Sequence, residues 1–525
     1  SPSSRSLPTS LSLRETGLVA VSRVNRRSFK MGLFHSIERS VPSRPRGLKL
    51  FKGVRKPTRM LSGVTVVALM TQPYPCPHGR CLYCPGGPSV GSPQSYVKSS
   101  PAVARALRVN YHPYEQVRLR LRQYVAMGHK PSKVELIVMG GTFPAMPLDY
   151  QEWFIAQALE ALNRFPEAAP GGWVYLEDAM RRNETAAVRC VALTLETRPD
   201  YCREEHIDLF LHLGATRVEL GVQTIYDEVL KRVRRGHGVR ETVEATRLLK
   251  DAAYKVTYHM MLGLPGSDPD GDFEAFREIY SNPDFMPDAV KIYPTLVVPS
   301  SDLYELWRRG EYQPYDLETL VELLARIKSI TPPWVRIIRV QRDVPLSEVA
   351  AGPPVGNLRE VVWDYMMKRG LKCRCIRCRE VGRFALRTGE VPSIEDAKLV
   401  RRRYEASGGV EEFISFEDGT RDVLFGFVRL RIPSERPSRW EIDSRTALIR
   451  ELHVYGPEVP IGEEEGWWQH RGLGRRLMAA AEEVAANEYG ARRMIVISAV
   501  GAREYYRKLG YRVLPDSFYM HKELR

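Results

Sequence analysis

From residue 64 onward the chain alternates two hydrophobic rhythms. Short apolar, β-branched runs read VTVVALMT (64–71), KVELIVMGG (133–141), VALTLETRP (191–199), RVELGVQT (217–224), KVTYHMMLGLPG (255–266) and AVKIYPTLVV (289–298). Between them apolar positions recur at helical spacing, as in YEQVRLRLRQYVAMGH (114–129) and RETVEATRLLKDAAY (240–254). Strands alternating with helices predict parallel βαβ units, hence an α/β fold. Six such units predict a TIM-like barrel or partial barrel, with its site at the C-terminal strand ends. Beyond about residue 400 the pattern changes to FGFVRLRIP (425–433), ALIRELHVYG (447–456) and MIVISAV (494–500), with helices between, which predicts a separate α+β domain. Residues 1–60 carry no steady period and are rich in Pro, Ser and Arg.

A chain of 525 residues is too long for one core, so two or three domains are expected. The net charge of +15 is unevenly placed: residues 1–60 hold 14 Lys or Arg against 2 Glu, a net +12. Such a block suits neutralising the phosphates of a nucleic acid. A solvated tail and an organelle presequence are the alternative readings. No window has the apolar length of a membrane helix, so a soluble protein without a membrane partner is expected. The eight cysteines form two tight clusters plus Cys190 and Cys202. In a chain without a signal sequence this points to metal sites in a reducing compartment, the cytoplasm by default.

The first cluster, CPHGRCLYCPGG, brings Cys76, Cys81 and Cys84 together just after the first predicted strand. Three thiolates can hold three irons of a [4Fe–4S] cube and leave the fourth open to S-adenosylmethionine. The same spacing occurs in plant-type [2Fe–2S] sites, which need a fourth cysteine, and a structural zinc is a further alternative. The βα pattern, with Gly140 and Gly141 at a strand end, favours the radical site. The second cluster, Cys373, Cys375 and Cys378, suits one tetrahedral zinc with another side chain as fourth ligand, or else a set of unliganded thiols.

In the C-terminal domain, Gln469-His470-Arg471-Gly472-Leu473-Gly474 directly precedes an amphipathic helix. Backbone N–H groups at such a helix start attract a pyrophosphate. The order of this loop between ALIRELHVYG and MIVISAVGAREYYRKLGYRV is that of a Gcn5-related N-acetyltransferase domain, which binds acetyl-CoA. There the ELHV strand edge is expected to pair with the pantetheine arm and Tyr506 to lie near the thioester. The alternatives are an aromatic core pair for Tyr505 and Tyr506 and a plain helix cap for the glycines. Glu204, Glu205 and His206 read as a solvated helix start, and His112 and His129 as surface residues. Arg118, Arg120 and Arg122 read either as RNA-phosphate contacts or as a solvated helix face.

Many of these stretches together resemble the catalytic subunit of Elongator, in a form close to the stand-alone archaeal proteins. They include KPTRMLSGVTVVALMT, CPHGRCLYCPGGP, KVELIVMGGTFPAMP, LETRPDYC, LGVQTIYDEVL, RGHGVRETVEATRLLKDAAYKV, RELHVYG, QHRGLG and GAREYYRKLGYR, and run from about residue 55 to the end. The resemblance implies a radical S-adenosylmethionine domain over 56–345, a linker with a zinc-binding loop over 346–400, and the acetyltransferase domain over 401–525. Residues 1–55 would be a basic segment for tRNA. The implied activity converts wobble uridine 34 of tRNA to 5-carboxymethyluridine, by taking a hydrogen atom from the acetyl methyl group and adding that carbon to C5.

Carried across, Cys76, Cys81 and Cys84 match the cluster ligands, and Lys133 matches a family lysine assigned to acetyl-CoA in the radical domain. Glu451, Leu452, His453, Val454, Gln469, Gly472, Leu473, Gly474, Arg475 and Tyr506 match the acetyl-CoA contacts of the other domain. Lys133 and Tyr506 are the implied catalytic residues. The CxCxxC cluster resembles a zinc loop of prokaryotic members. Partners beyond tRNA stay open between a homodimer and other Elongator-like subunits. The rival enzyme reading is a protein lysine acetyltransferase with a structural iron–sulfur domain; a tRNA-binding scaffold is the third.

Overall fold

A computed structural model describes residues 61–167, 172–456 and 472–525, all within one compact unit, Gly47–Arg525. The basic segment 1–55 and Gln469, His470 and Arg471 of the glycine loop lie outside the described residues.

Seven parallel strands pair in sequence order: β1 (Thr65–Met70), β2 (Lys133–Met139), β3 (Arg189–Thr197), β4 (Arg217–Gln223), β5 (Lys255–Leu262), β6 (Ala289–Pro294) and β7 (Arg336–Arg339). The sheet is therefore a half-barrel with one strand more than the six expected. The extra strand is RIIR, too short and too charged to stand out as an apolar run. Along the other strands the side chains alternate between two environments. Val134, Leu136, Val138, Val218, Leu220 and Val222 join the main core, with apolar residues of the helices Leu148–Arg164 and Val239–Asp251. The positions between them face the concave side.

A second seven-stranded sheet has the order β13-β14-β12-β11-β10-β9-β8. Its strands are β8 (Lys398–Ala406), β9 (Gly409–Asp418), β10 (Val423–Ile432), β11 (Thr446–Val454), β12 (Arg493–Val496), β13 (Arg512–Val513) and β14 (Met520–Glu523). Only β11 and β12 run parallel, and they pair over just four positions, Thr446↔Arg493 to Ile449↔Val496. The β11–β12 pairing ends at Ile449, so Arg450–His453 has no strand neighbour on that side among the described residues. The helix Leu473–Tyr489 packs on this sheet and starts at Gly472 in a left-handed conformation (φ 78°).

Buried ion pairs join the two sheets. Arg450 on β11 donates to both carboxylate oxygens of Asp288 at 2.7 and 2.6 Å and to Glu411 at 2.8 Å. Arg431 on β10 donates to Asp251 at 2.6 Å. Trp334 stacks on Tyr404 with centroids 4.7 Å apart. Charges removed from water this completely persist only when each is paired, so the contact is part of the fold.

Candidate active site: two cavities on one half-barrel

The cysteine loop follows β1 at the C-terminal strand ends, where barrel enzymes place their chemistry. Cys76, Cys81 and Cys84 are all buried and unbridged. Cys76 Sγ lies 3.5 Å from the Thr142 hydroxyl, and the Ser95 amide donates to Cys84 Sγ at 3.3 Å. His78 Nε2 lies 3.1 Å from Cys81 Sγ, and Arg235 donates to the same sulfur at 3.6 Å. Burial pushes the Cys76 and Cys84 thiols above the ordinary cysteine value. Burial, then the nearby Arg198 and Arg235, pushes His78 down to about 3, which keeps its imidazole neutral.

Gly140 and Gly141 (φ 138° and 108°) bring β2 against this loop, but what they admit is protein. A Cβ on Gly140 would strike the Thr71 hydroxyl; one on Gly141 would meet Gln94 at 3.0 Å and Cys76 Sγ at 3.5 Å. Their close approach thus serves to seat the cysteine loop.

A cavity beside Cys76 is walled by Tyr96, Glu196, Glu219, His259 and Lys291. Glu196, Glu219 and His259 offer ligand atoms within 4.8 Å of one another. The Lys291 ammonium already pairs with Glu219 and lies 3.4 Å from Glu196, taking the place a metal ion would have. Despite burial, Lys291 and Arg217 hold the Glu219 carboxyl well below the usual carboxylate range. Tyr96 donates to Glu196 at 2.9 Å.

Three buried thiols with a cation against one of them fit a metal cluster better than a packed core. Cys190 and Cys202, the fourth-ligand candidates for a two-iron site, both belong to the main core. Sequence reasoning gave no role to Arg235, Arg198, Glu196, Glu219 or Lys291. The first two stand in RGHG and LETRPD, whose charges among glycine and proline were the available signal.

The second cavity, about 430 Å³, opens at the N-terminal ends of the barrel strands against the second sheet. Glu451, Leu452 and His453 line it, with Tyr505, Tyr506 and the chain just after β12 at Ile497–Ala499. Of the expected contact residues of β11, Glu451, Leu452 and His453 thus share a cavity with Tyr506, and Val454 does not line it. Lys255 of the barrel pairs with Glu451, and Arg429 donates to it at 2.9 Å. Burial opposes ionisation there, but these two cations hold the Glu451 carboxyl down to about 2. His453 lies 2.8 Å from the Ser62 carbonyl and stacks on Tyr455.

Tyr506 is buried and packs edge-on to Tyr505 and Tyr511, so it belongs both to the core and to the cavity wall. Tyr505, pushed up to about 12 by burial, sits against the start of the helix Leu473–Tyr489. A Cβ on Gly474 would collide with its hydroxyl. Leu473, Gly474 and Arg475 form the first turn of that helix, with Gly472 before it. Lys133 opens β2 at the strand end remote from the cysteine loop.

Cys373, Cys375 and Cys378 offer sulfurs within 4.8 Å of one another, close enough to share one ion. Of the basic helix, Arg118 pairs with Glu115 at 2.6 Å, and Arg120 donates to Gln123 and lies over the Tyr124 ring. His129, expected at the surface, is buried beside Tyr124 because the turn after that helix folds inward.

Three family models match this chain. They are the radical SAM superfamily over residues 72–278, the radical SAM C-terminal domain over 287–368 and a GNAT acetyltransferase domain over 466–522. The chain is 52% identical over 464 residues to a tRNA uridine(34) acetyltransferase of Methanocaldococcus jannaschii, covering 87% of this chain and 84% of that protein. It is 43% identical to Elongator complex protein 3 of Mus musculus, over 93% of this chain and 89% of that one. The solved structure of the archaeal Methanocaldococcus infernus Elp3 with an N-terminal deletion is also similar. It superposes with a TM-score of 0.78 at 48% identity, over 88% of this chain and all of that chain.

Proposed function

The chain belongs to the family of the tRNA uridine(34) acetyltransferases and Elongator complex protein 3, and on that footing we propose that it builds a carboxymethyl group on C5 of the wobble uridine of tRNA from acetyl-CoA. The observation that carries the reading is the presence, on one half-barrel, of a buried three-cysteine site at one end and an acetyltransferase cavity at the other.

Cys76, Cys81 and Cys84 would hold three irons of a [4Fe–4S] cluster. With S-adenosylmethionine bound, that cluster supplies one-electron chemistry able to act on an unactivated methyl group. Arg235, beside Cys81, offsets the negative charge that thiolate ligands bring into a buried site. The edge of β11 from Arg450 to His453, which has no strand neighbour on that side among the described residues, offers its backbone to the pantetheine amides. The helix start at Gly472–Arg475 offers N–H groups to the pyrophosphate. Tyr506 stands at the cavity wall, where the thioester would lie.

The uridine reaches the two cavities from a single-stranded anticodon loop, whose base can leave its stack. The basic segment 1–55 is the proposed tRNA contact. Zinc is the proposed occupant of Cys373, Cys375 and Cys378, whose sulfurs lie within 4.8 Å of one another. Lys133 is a proposed acetyl-CoA contact on the barrel side.

Anaerobic incubation of the reconstituted protein with S-adenosylmethionine, acetyl-CoA and unmodified tRNA, read by nucleoside mass spectrometry, tests the proposal. A carboxymethyl adduct on uridine that needs all three components supports it. Acetylated protein lysine with unmodified tRNA refutes it.

A further inference from the structure

Barrel interiors are ordinarily filled by layers of branched apolar side chains. This half-barrel is different: its concave face carries Glu135 on β2, Glu196 on β3, Arg217 and Glu219 on β4, His259 on β5 and Lys291 on β6. Arg217 bridges two of the carboxylates, reaching Glu135 at 2.6 Å and Glu219 at 3.1 Å. Glu219 also pairs with Lys291 and lies 2.9 Å from His259 Nε2. Thr194 donates to Glu135 at 3.1 Å. Arg217 Nε and the Thr257 hydroxyl are buried without a hydrogen-bond partner among the described residues.

The same strands line both cavities. Glu135, Ala192, Arg217 and Lys255 wall the acetyltransferase cavity, and Glu196, Glu219, His259 and Met261 wall the one beside Cys76. From Ala192 to Glu196 is four residues of strand, about 13 Å. The charged column through Arg217 is what separates the two spaces.

We propose that the lumen of the half-barrel is an internal passage for the acetyl thioester, running from the acetyltransferase cavity to the cysteine site, and that Arg217 is its gate. The proposal rests on the reading that acetyl-CoA occupies the cavity beside β11. Two features suit Arg217 to the task. When it swings aside, Glu219 keeps its cation Lys291 and its contact with His259, and Glu135, which is only partly buried, keeps the hydrogen bond from Thr194. Ala192, opposite Glu135 in the register, leaves room at the level where a slender acyl chain would enter. A passage of this kind would carry the methyl group to the radical site without exposing it to water.

The test uses the full-length reconstituted protein without S-adenosylmethionine and measures binding of acetyl-, butyryl-, hexanoyl- and octanoyl-CoA by calorimetry. Wild type, Arg217→Ala and Ala192→Phe are compared. With the gate removed, Arg217→Ala binds octanoyl-CoA about tenfold tighter relative to acetyl-CoA than wild type does, because extra methylenes gain a buried path. Ala192→Phe weakens octanoyl-CoA about tenfold more than it weakens acetyl-CoA. In turnover with methyl-deuterated acetyl-CoA, Ala192→Phe also transfers about tenfold less deuterium to 5′-deoxyadenosine.

A chain-length profile identical in all three proteins overturns the passage, as does undiminished deuterium transfer in Ala192→Phe. If Ala192→Phe does not fold, the Arg217→Ala profile alone decides. Wild-type protein that binds no acetyl-CoA overturns the functional reading beneath the proposal, which separates that failure from failure of the passage alone.

Discussion

Replacing Asp288 by Asn tests whether the half-barrel and the acetyltransferase sheet are one energetic unit. The Asp288 carboxylate is fully buried and accepts from Arg450 at 2.6 and 2.7 Å and from the Val256 amide at 2.8 Å. Arg429 and Lys250 stand 3.5 and 3.6 Å away. Loss of that one negative charge leaves three buried cations sharing Glu411 and Glu451 as remaining counter-ions. Removing one partner of a buried pair costs about 3–5 kcal/mol.

For a cooperative unit of this length, an unfolding entropy of about 2 cal/mol/K per residue sums to about 1 kcal/mol/K, so the loss reads as a fall in Tm of about 3–5 °C. Adding Arg450→Met removes the stranded charge and should recover about half of the fall. Because Arg450 opens the free edge of β11, Asp288→Asn should also weaken acetyl-CoA binding. Thermal unfolding by circular dichroism and calorimetric binding read the two effects. A Tm within about 1 °C of wild type would refute the account of the interface.

Other outcomes follow from the same contacts. Cys81→Ala should abolish the visible iron–sulfur absorbance after reconstitution while the far-ultraviolet spectrum stays native, since Cys81 is a proposed cluster ligand and lies outside the main barrel core. Gly474→Ala drives a methyl into the Tyr505 hydroxyl and should raise the Kd for acetyl-CoA about tenfold by calorimetry. Glu451, held down to about 2, contributes stability above the unfolded carboxylate range and loses it as pH falls toward 2. Glu451→Gln should therefore flatten the acid limb of a Tm-against-pH curve below about pH 5. Under the zinc assignment proposed for Cys373, Cys375 and Cys378, Cys375→Ser should lower the zinc content found by elemental analysis and lower Tm without removing the iron–sulfur absorbance.

Much of the radical half is legible because parallel strands covered by helices read as apolar runs, and six of the seven strands stand where those runs stand. The missed strand, RIIR, has two of its four residues as arginines, and Arg336 turns to the acetyltransferase cavity. In the second sheet, KLVRRRYEA and GVEEFISFED form β8 and β9 although charge breaks their apolar pattern. There Arg401 and Arg402 pair with Glu412 and Glu417 of the neighbouring strand, which offsets their partial burial.

The cysteine cluster is a local signal whose spacing alone also suits a two-iron or a zinc site, and the β11 edge and Tyr506 are read from the resemblance to an acetyltransferase domain. The charges of the lumen were also in view, at alternate positions of KVEL, RVEL and KVTYH. Their meaning depended on which face met the helices, which single strands do not disclose. The Arg450–Asp288 pair joins residues 162 positions apart, and no periodicity links them.

The most direct test of the central claim follows the acetyl carbons. Acetyl-CoA labelled with carbon-13 in both acetyl positions is supplied to the reconstituted protein with S-adenosylmethionine and unmodified tRNA, and the wobble nucleoside is analysed by mass spectrometry. The account predicts carboxymethyluridine carrying both labelled carbons, lost in Cys81→Ala. Label found only on protein lysines, or unlabelled uridine beside released CoA, would contradict it.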